Sequence, residues 1–198
     1  MSAFRRSLQE LSAVLASCIS LEDAVNQAGD AILDCLFRGG KLLTCGNGGS
    51  AADALHLAEE LVGRYDLERR ALPAVCINAD VTALTCIGND YGYDRIFSRQ
   101  VEALGRPGDV LVGFSTSGNS PNVLSGFRRA QDLGLTTIFL GGKDGGSAKG
   151  LCSHEIIVPS FRTARIQEVH TLILHQWLEA IDATDWTNLS AQSERIEQ

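Results

Sequence analysis

Residues 41–51 of this chain read Lys41-Leu42-Leu43-Thr44-Cys45-Gly46-Asn47-Gly48-Gly49-Ser50-Ala51. A short apolar run is followed by a glycine-rich loop and then by the start of a helical pattern, which predicts a β-strand that turns sharply into a helix. The same order recurs along the chain. Apolar runs predict strands at 41–45, 73–77, 109–114, 135–140 and 155–158.

Helical stretches separate these strands and follow the last one, at about 50–64, 80–88, 93–104, 120–133, 146–150 and 163–182. The strands are mostly continuous apolar runs rather than alternating ones, as expected where helices cover both faces of a parallel sheet. We therefore predict an α/β fold, a single doubly wound domain built on a five-stranded parallel sheet with helices on both faces.

The remaining segments lie at the two ends of the chain. Residues 1–40 carry apolar residues at helical spacing and end at Gly39-Gly40, so we predict an N-terminal helical pair there. The α/β core spans 41–182, and residues 183–198 are predicted to form a flexible tail. A chain of 198 residues suits one domain with a full core.

Composition limits the classes of protein to which the chain can belong. It is 44% hydrophobic and 21% charged, as is ordinary for a soluble globular protein. The formal net charge of -7 argues against nucleic-acid binding, and no apolar run approaches the roughly 20 residues that span a membrane. Six cysteines without a C-x-x-C pair indicate a reduced, cytoplasmic protein, and a disulfide framework is the weaker alternative.

Two polar loops follow predicted strands, and ligands of doubly wound sheets bind at the carboxyl ends of the strands. In the first loop, Ser50 occupies the position of a helix N-cap, where free amides attract anions. With Ala51 the loop also fits the dinucleotide pattern G-x-G-x-x-A. That pattern expects an acid at the end of the next strand, where Ile77 is followed by Asn78, so a dinucleotide site ranks low. A simple tight turn is the other alternative.

The second loop, STSGNS at 115–120, is more specific. Its four hydroxyl groups precede a helix and offer hydrogen-bond donors to a phosphate. The alternative is a polar loop with one capping serine. Two such loops at the same edge of the sheet favour an anion site.

The helix after the first loop carries Asp53, His56 and Glu60 on one face. The i, i+4 spacing of His56 and Glu60 suits a shared metal ion, or a base with its partner. Glu59 is expected to point elsewhere, into solvent. An ordinary polar stripe remains the alternative.

The last predicted helix carries Gln167, His170 and His175. Gln167 and His175 lie about 80° apart around the helix axis, so both can face one cleft. His170 falls on the other side of Gln167. Spacing alone does not decide which histidine faces the site.

Four segments resemble phosphoheptose isomerases of the sugar-isomerase (SIS) domain superfamily: GNGGSAAD at 46–53, GNDYG at 88–92, STSGNS at 115–120 and ARIQEVH at 164–170. The resemblance covers nearly the whole chain. It implies an aldose–ketose isomerase that converts sedoheptulose 7-phosphate to D-glycero-D-manno-heptose 7-phosphate, toward the heptose of lipopolysaccharide.

The resemblance also implies roles for individual residues. Glu60 is the expected general base and His175 the expected acid. Zn²⁺ is the expected cofactor, and the implied ligands are His56, Glu60, Gln167 and His175. The implied substrate contacts are Asn47, Gly48, Gly49, Ser50, Asp53, Glu60, Asn89, Asp90, Ser115, Thr116, Ser117, Ser120 and Gln167.

Members of the resembled family form homotetramers whose sites lie between subunits, so a homotetramer is expected. The main alternative is a non-catalytic SIS protein that binds the bacterial replication initiator DnaA. Such proteins typically lack the glutamate and final histidine that this chain keeps as Glu60 and His175. A sugar-phosphate sensor is a second alternative, but it would need a DNA-binding segment, and the N-terminal helical pair is too acidic and short for that.

Overall fold

In the computed structural model the described residues are 1–186. The helices are α1 (Ala3–Cys18), α2 (Glu22–Phe37), α3 (Gly49–Val62), α4 (Val81–Tyr91), α5 (Ser98–Leu104), α6 (Pro121–Asp132) and α7 (Thr163–Asp182). The strands are β1 (Leu42–Gly46), β2 (Ala74–Cys76), β3 (Val110–Ser115), β4 (Thr136–Gly142) and β5 (His154–Val158).

The five strands form one parallel sheet in the order β2-β1-β3-β4-β5. This confirms the predicted doubly wound α/β domain with its N-terminal helical pair. The crossovers leave β1 and β3 in opposite directions, so the switch point lies between these two strands. Gly46 pairs with Phe114 at their carboxyl ends, which brings the two polar loops to one edge of the sheet.

Both faces of the sheet are buried. Val110, Val112 and Phe114 pack in one hydrophobic cluster with residues of α2, α3 and α7. Leu111, between them, packs in a second cluster with residues of α5 and α6. Alternate residues of a strand point to opposite faces, so a strand covered on both sides must be apolar throughout.

Two predicted helices are shorter than expected. The stretch 93–104 is divided into a 3₁₀ turn at Tyr93–Arg95 and the helix α5. The stretch 146–150 holds a 3₁₀ turn, Gly146–Ala148. Gly145 and Gly150 have φ angles of 86° and 80°, and this left-handed backbone cannot continue a helix.

The C-terminal end of the described chain packs against the core. Trp186 is buried, stacks on Phe37 with ring centroids 4.8 Å apart, and donates from Nε1 to the Ile181 carbonyl. The rest of the predicted tail, residues 187–198, lies outside the described residues. All six cysteines lie within residues 1–186 and are free thiols. Within the same range, no helix combines the length and apolarity needed to cross a membrane.

Candidate active site

The glycine loop starts α3 without help from a side chain. Gly48 is the N-cap residue, with φ 58°, and no side-chain cap bond forms there within the described chain. The prediction of Ser50 as the N-cap is therefore wrong, because the positive φ of Gly48 lets the helix begin earlier. Ser50 lies instead in the first turn and is buried.

Gly49 meets the side chain of Gln167 on α7. A Cβ atom at this position would collide with the Gln167 amide, so a larger residue here would displace that side chain. Gly49 and Gln167, two predicted substrate contacts on α3 and α7, are thus brought together.

The two polar loops enclose one small cavity of about 160 Å³ at the carboxyl ends of β1 and β3. Its lining consists of Asn47, Ser50, Phe114, Ser115, Thr116, Ser117 and Ser120. Six of these seven residues are predicted substrate contacts. The cavity therefore presents hydroxyl and amide groups to a small polar ligand.

The serine loop is held in a fixed shape by its backbone. Gly118 has φ 63°, and its N–H donates to the Ser115 carbonyl at 3.0 Å. A side chain at Gly118 would collide with the carbonyl of Gly145. Ser120 is the N-cap residue of α6, and its hydroxyl lies 3.1 Å from the Ser115 hydroxyl. Hydroxyls at a helix N-terminus suit an anion.

Two residues that the sequence analysis missed hold the glycine loop. The amides of Asn47 and Asn122 exchange two hydrogen bonds of 2.8 Å, and the Tyr93 hydroxyl donates to Asn47 Oδ1 at 3.0 Å. The signal that could have identified Asn122 is its position two residues after Ser120.

α3, which follows the glycine loop, and α7 bring acid–base groups together. His56 Nε2 lies 3.4 Å from Glu60 Oε1, and the two side chains are 32% and 19% exposed. The rings of His56 and His175 meet edge to face, 5.1 Å between centroids. The Tyr65 ring, which the sequence analysis did not single out, lies 5.3 Å from His175.

The structure also decides between the two histidines of α7. His170 is fully buried, and its Nε2 lies 2.9 Å from the Gly141 carbonyl. Burial lowers the pKa of His170 to about 4, so the ring is neutral at pH 7. His175 is the histidine that faces His56.

Asp53 links the same two helices. Its Oδ1 accepts a 3.0 Å hydrogen bond from the Thr171 hydroxyl, while Oδ2 is buried without a hydrogen-bond partner in residues 1–186. Burial raises the pKa of this carboxyl, although the Thr171 bond and His56 lower it. An orphaned buried oxygen beside the predicted site is a group that a ligand hydroxyl could satisfy.

The metal-ligating groups form a partial cluster. Ligand atoms of His56, Glu59 and Glu60 all lie within 4.8 Å of one another. Glu59 is exposed as expected, yet it does not point away from this group. Imidazole and carboxylate donors at this spacing fit zinc. Of the other implied ligands, His175 adjoins His56, whereas the Gln167 amide adjoins Gly49.

Two implied substrate contacts lie elsewhere in this single chain. Asn89 and Asp90 are exposed near the end of α4, where Asn89 Nδ2 donates to Asp90 Oδ1 at 2.7 Å. Neither residue lines the cavity within the described chain.

Known proteins are similar to this chain in sequence and in fold. The SIS domain family model matches residues 6–142. A phosphoheptose isomerase of Campylobacter jejuni is 54% identical over 162 residues, which cover 82% of this chain and 87% of the relative. The structure of phosphoheptose isomerase GmhA from Neisseria gonorrhoeae has a TM-score of 0.87 at 44% identity, covering 91% of this chain and 97% of that chain. A phosphoheptose isomerase structure from Francisella tularensis has a TM-score of 0.85 at 37% identity, covering 93% and 100% of the two chains.

Proposed function

Because the chain belongs to the phosphoheptose isomerase family of SIS-domain proteins, we propose that it is an aldose–ketose isomerase acting on a phosphorylated seven-carbon sugar. The reaction converts sedoheptulose 7-phosphate to D-glycero-D-manno-heptose 7-phosphate, in the synthesis of lipopolysaccharide precursors. The observation that carries this proposal is a hydroxyl-lined cavity at the start of α3, together with a glutamate and a histidine farther along the same helix, the histidine facing His175 of α7.

The cavity is the proposed phosphate site. Ser115, Thr116, Ser117 and Ser120 supply hydroxyl donors, and the start of α6 adds the positive end of a helix dipole. A site made of neutral donors binds an anion without a fixed positive charge. This explains how a chain of net charge -7 can hold a phosphate.

Glu60 and His175 are the proposed catalytic residues. Isomerisation through an enediol requires a base that removes a proton from one carbon and returns it to the neighbouring carbon. It also requires a group that moves a proton between the two sugar oxygens. Glu60 moves the proton from one carbon to the other, and His175 moves a proton between the two oxygens. They reside on different helices, so they can act on opposite ends of the reacting C1–C2 unit.

Zinc is the proposed cofactor, and His56, Glu60, Gln167 and His175 are its proposed ligands. When bound, the ion polarises the sugar oxygens as a Lewis acid. Glutamine is an unusual zinc ligand, and Glu59 already lies in the same carboxylate–imidazole cluster. A ligand set with Glu59 in place of Gln167 is therefore the competing arrangement.

The remaining substrate contacts are proposed from the family resemblance. Gly48, the N-cap of α3, and Gly49 and Asp53 within that helix border the sugar. Asn89 and Asp90 are exposed on α4, and a site completed by a second subunit would use them.

A homotetramer is the proposed assembly. No residue of α1 is buried within the described chain, where Phe4 and Leu8 are 73% and 49% exposed, and Ile19, just beyond the helix, is 73% exposed. An apolar face of this kind on a helix is typical of a protein–protein interface. We place the enzyme in the cytoplasm, where six free thiols stay reduced.

The test is turnover of sedoheptulose 7-phosphate by the purified protein, followed by chromatographic detection of an aldoheptose phosphate. Appearance of the aldose at a rate proportional to enzyme concentration supports the proposal. Absence of turnover combined with tight binding to DnaA would instead support a non-catalytic SIS protein.

A further inference from the structure

We propose that Asn122 is a positioning residue, which holds the amide of Asn47 so that an N–H group, rather than the oxygen, is presented to the sugar-phosphate cavity. This inference rests on the proposed function, because it assigns a role within the same site. Asn122 is not among the residues that the family resemblance implies, and it does not itself line the cavity.

The two asparagines form a closed pair. Asn47 Nδ2 donates to Asn122 Oδ1 at 2.8 Å, and Asn122 Nδ2 donates to Asn47 Oδ1 at 2.8 Å. Asn122 is 1% exposed, so its amide cannot exchange these bonds for water. A buried amide that loses its partners leaves unsatisfied polar groups, which makes this arrangement strongly preferred.

Neighbouring groups fix which atom of each amide is which. The Val123 N–H donates to Asn122 Oδ1 at 3.0 Å, so that atom must be an acceptor. The other terminal atom of the Asn122 amide is then the nitrogen of its NH₂ group, which needs an acceptor on Asn47. The Tyr93 hydroxyl also donates to Asn47 Oδ1 at 3.0 Å. Asn47 Oδ1 is therefore engaged by two donors.

The consequence lies in the cavity that Asn47 lines. The NH₂ group of Asn47 has two hydrogens, and the bond to Asn122 uses one of them. The second hydrogen remains for a ligand. A flipped amide would offer an oxygen to the phosphate oxygens and would repel them. Asn122 thus makes a neutral amide selective for an anion.

The pair also joins the two loops across the switch point of the sheet. Asn47 belongs to the loop after β1, and Asn122 lies in the first turn of α6 just beyond Ser120. The hydrogen bonds therefore set the distance between the glycine loop and the serine loop. Small changes in such positioning are costly for binding and catalysis.

The experiment is a double-mutant cycle with Asn47→Ala, Asn122→Ala and the double variant, assayed with sedoheptulose 7-phosphate. If Asn122 acts through Asn47, each single substitution raises KM about tenfold, with kcat changed less than about threefold, because uniform binding is lost. The double variant then matches Asn47→Ala alone. Independent, multiplicative effects on KM would overturn the proposal.

A purely structural role of Asn122 would give a different result. Loss of folded protein lowers kcat in proportion and leaves KM unchanged, and this outcome also overturns the proposal. Asn122→Asp guards against a failure of Asn122→Ala to fold, since it keeps the side-chain volume and places an oxygen against Asn47 Oδ1. KM should rise at least as much as in Asn122→Ala. Asn26→Ala on the exposed side of α2 is the matched control, with wild-type KM and kcat.

Binding of inorganic phosphate separates this inference from the proposed function. If the wild-type protein does not turn over the sugar, calorimetry still measures the affinity of the cavity for phosphate. In that case, a Kd for phosphate about tenfold higher in Asn122→Asp than in the wild type would support the positioning role, although the isomerase proposal would have failed. An unchanged Kd for phosphate contradicts the positioning role.

Discussion

Arg69 and Asp182 form a buried ion pair, with 2.8 Å between Nε and Oδ1, which joins the end of α3 to the end of α7. Their side chains are 3% and 2% exposed. Arg69 also donates from Nη2 to the Glu60 carbonyl at 2.7 Å and from Nη1 to the Leu61 carbonyl at 2.9 Å. The pair therefore fastens the helix that bears Glu60 to the helix that bears His175.

Removing Arg69 should destabilise the fold strongly. Arg69→Ala leaves the Asp182 carboxylate buried without its counter-ion, and breaking such a pair costs about 3–5 kcal/mol. Urea unfolding monitored by circular dichroism measures the change. Arg38→Ala is the control, because Arg38 and Asp34 form a pair that is exposed on the surface. Equal stability of the two variants would show that the Arg69–Asp182 pair does not hold α3 and α7 together.

Glu60→Gln should abolish turnover while substrate binding persists. The amide keeps the size of the carboxylate but cannot accept the carbon-bound proton, so we expect kcat to fall at least about 100-fold. Steady-state kinetics and calorimetric binding of sedoheptulose 7-phosphate test both parts. Glu22→Gln, on the exposed first turn of α2, should behave as wild type. A Glu60→Gln variant with near-wild-type kcat would exclude Glu60 as the base.

Zinc content should follow the proposed ligands. His175→Ala should lower the zinc bound per subunit, measured by plasma emission spectrometry after dialysis against a weak chelator. Glu59→Gln distinguishes the two ligand sets. Zinc retained in Glu59→Gln favours the set with Gln167, and zinc lost in it favours the set with Glu59. Activity that disappears on chelation and returns with zinc alone indicates a catalytic metal, whereas indifference to chelation counts against it.

His170 should make stability depend on pH. Burial lowers its pKa in the fold to about 4, from the usual 6.5, so the unfolded chain binds more protons between these values. The contribution of the neutral ring is fully present above about pH 6.5 and decreases as the pH falls toward 4, by up to about 3 kcal/mol. Denaturant titrations at pH 7.5 and pH 5 measure it.

The diagnostic variant for this effect is His170→Leu. It removes the titrating group, so the loss of stability between pH 7.5 and pH 5 should be smaller than in the wild type. An unchanged pH dependence would show that another group is responsible. Lower stability of the variant at pH 7.5 is expected separately, because the hydrogen bond with the Gly141 carbonyl is lost.

The exposed face of α1 should govern assembly. Placing a charge on it, as in Phe4→Glu or Leu8→Glu, should shift a tetramer toward smaller species because burial of the charge is unfavourable. Light scattering coupled to size-exclusion chromatography gives the mass. Glu22→Gln is again a suitable control. A mass unaffected by both glutamate substitutions would place the interface elsewhere.

Much of the architecture was predictable from local patterns. Continuous apolar runs such as Leu42-Leu43 identified the five strands, and the register then confirmed a parallel sheet. The predictions were wrong where the backbone angles of single residues decide where a helix begins or ends. Gly48, rather than Ser50, is the N-cap of α3, and left-handed glycines limit the 3₁₀ turn at Gly146–Ala148. Apolar spacing carries no information about such angles.

The candidate site was less predictable. Spacing along α3 placed Asp53, His56 and Glu60 on one face, since that requires only helix geometry. It left His170 and His175 undecided, because the choice depends on how α7 lies against the sheet. It also missed Asn122, which bonds to Asn47 across 75 residues. Helical periodicity describes neighbours within one element and not contacts between elements.

The two polar loops show this division most directly. The sequence by itself determined that a glycine loop and a hydroxyl loop each follow a buried strand. It also determined the chemistry that they offer to a phosphate. Only the tertiary structure decided that they enclose one cavity, that Gly49 abuts Gln167, and that Asn122 orients Asn47. Those relationships arise from the order of the strands and the packing of helices on the sheet, which bring distant residues within hydrogen-bond reach.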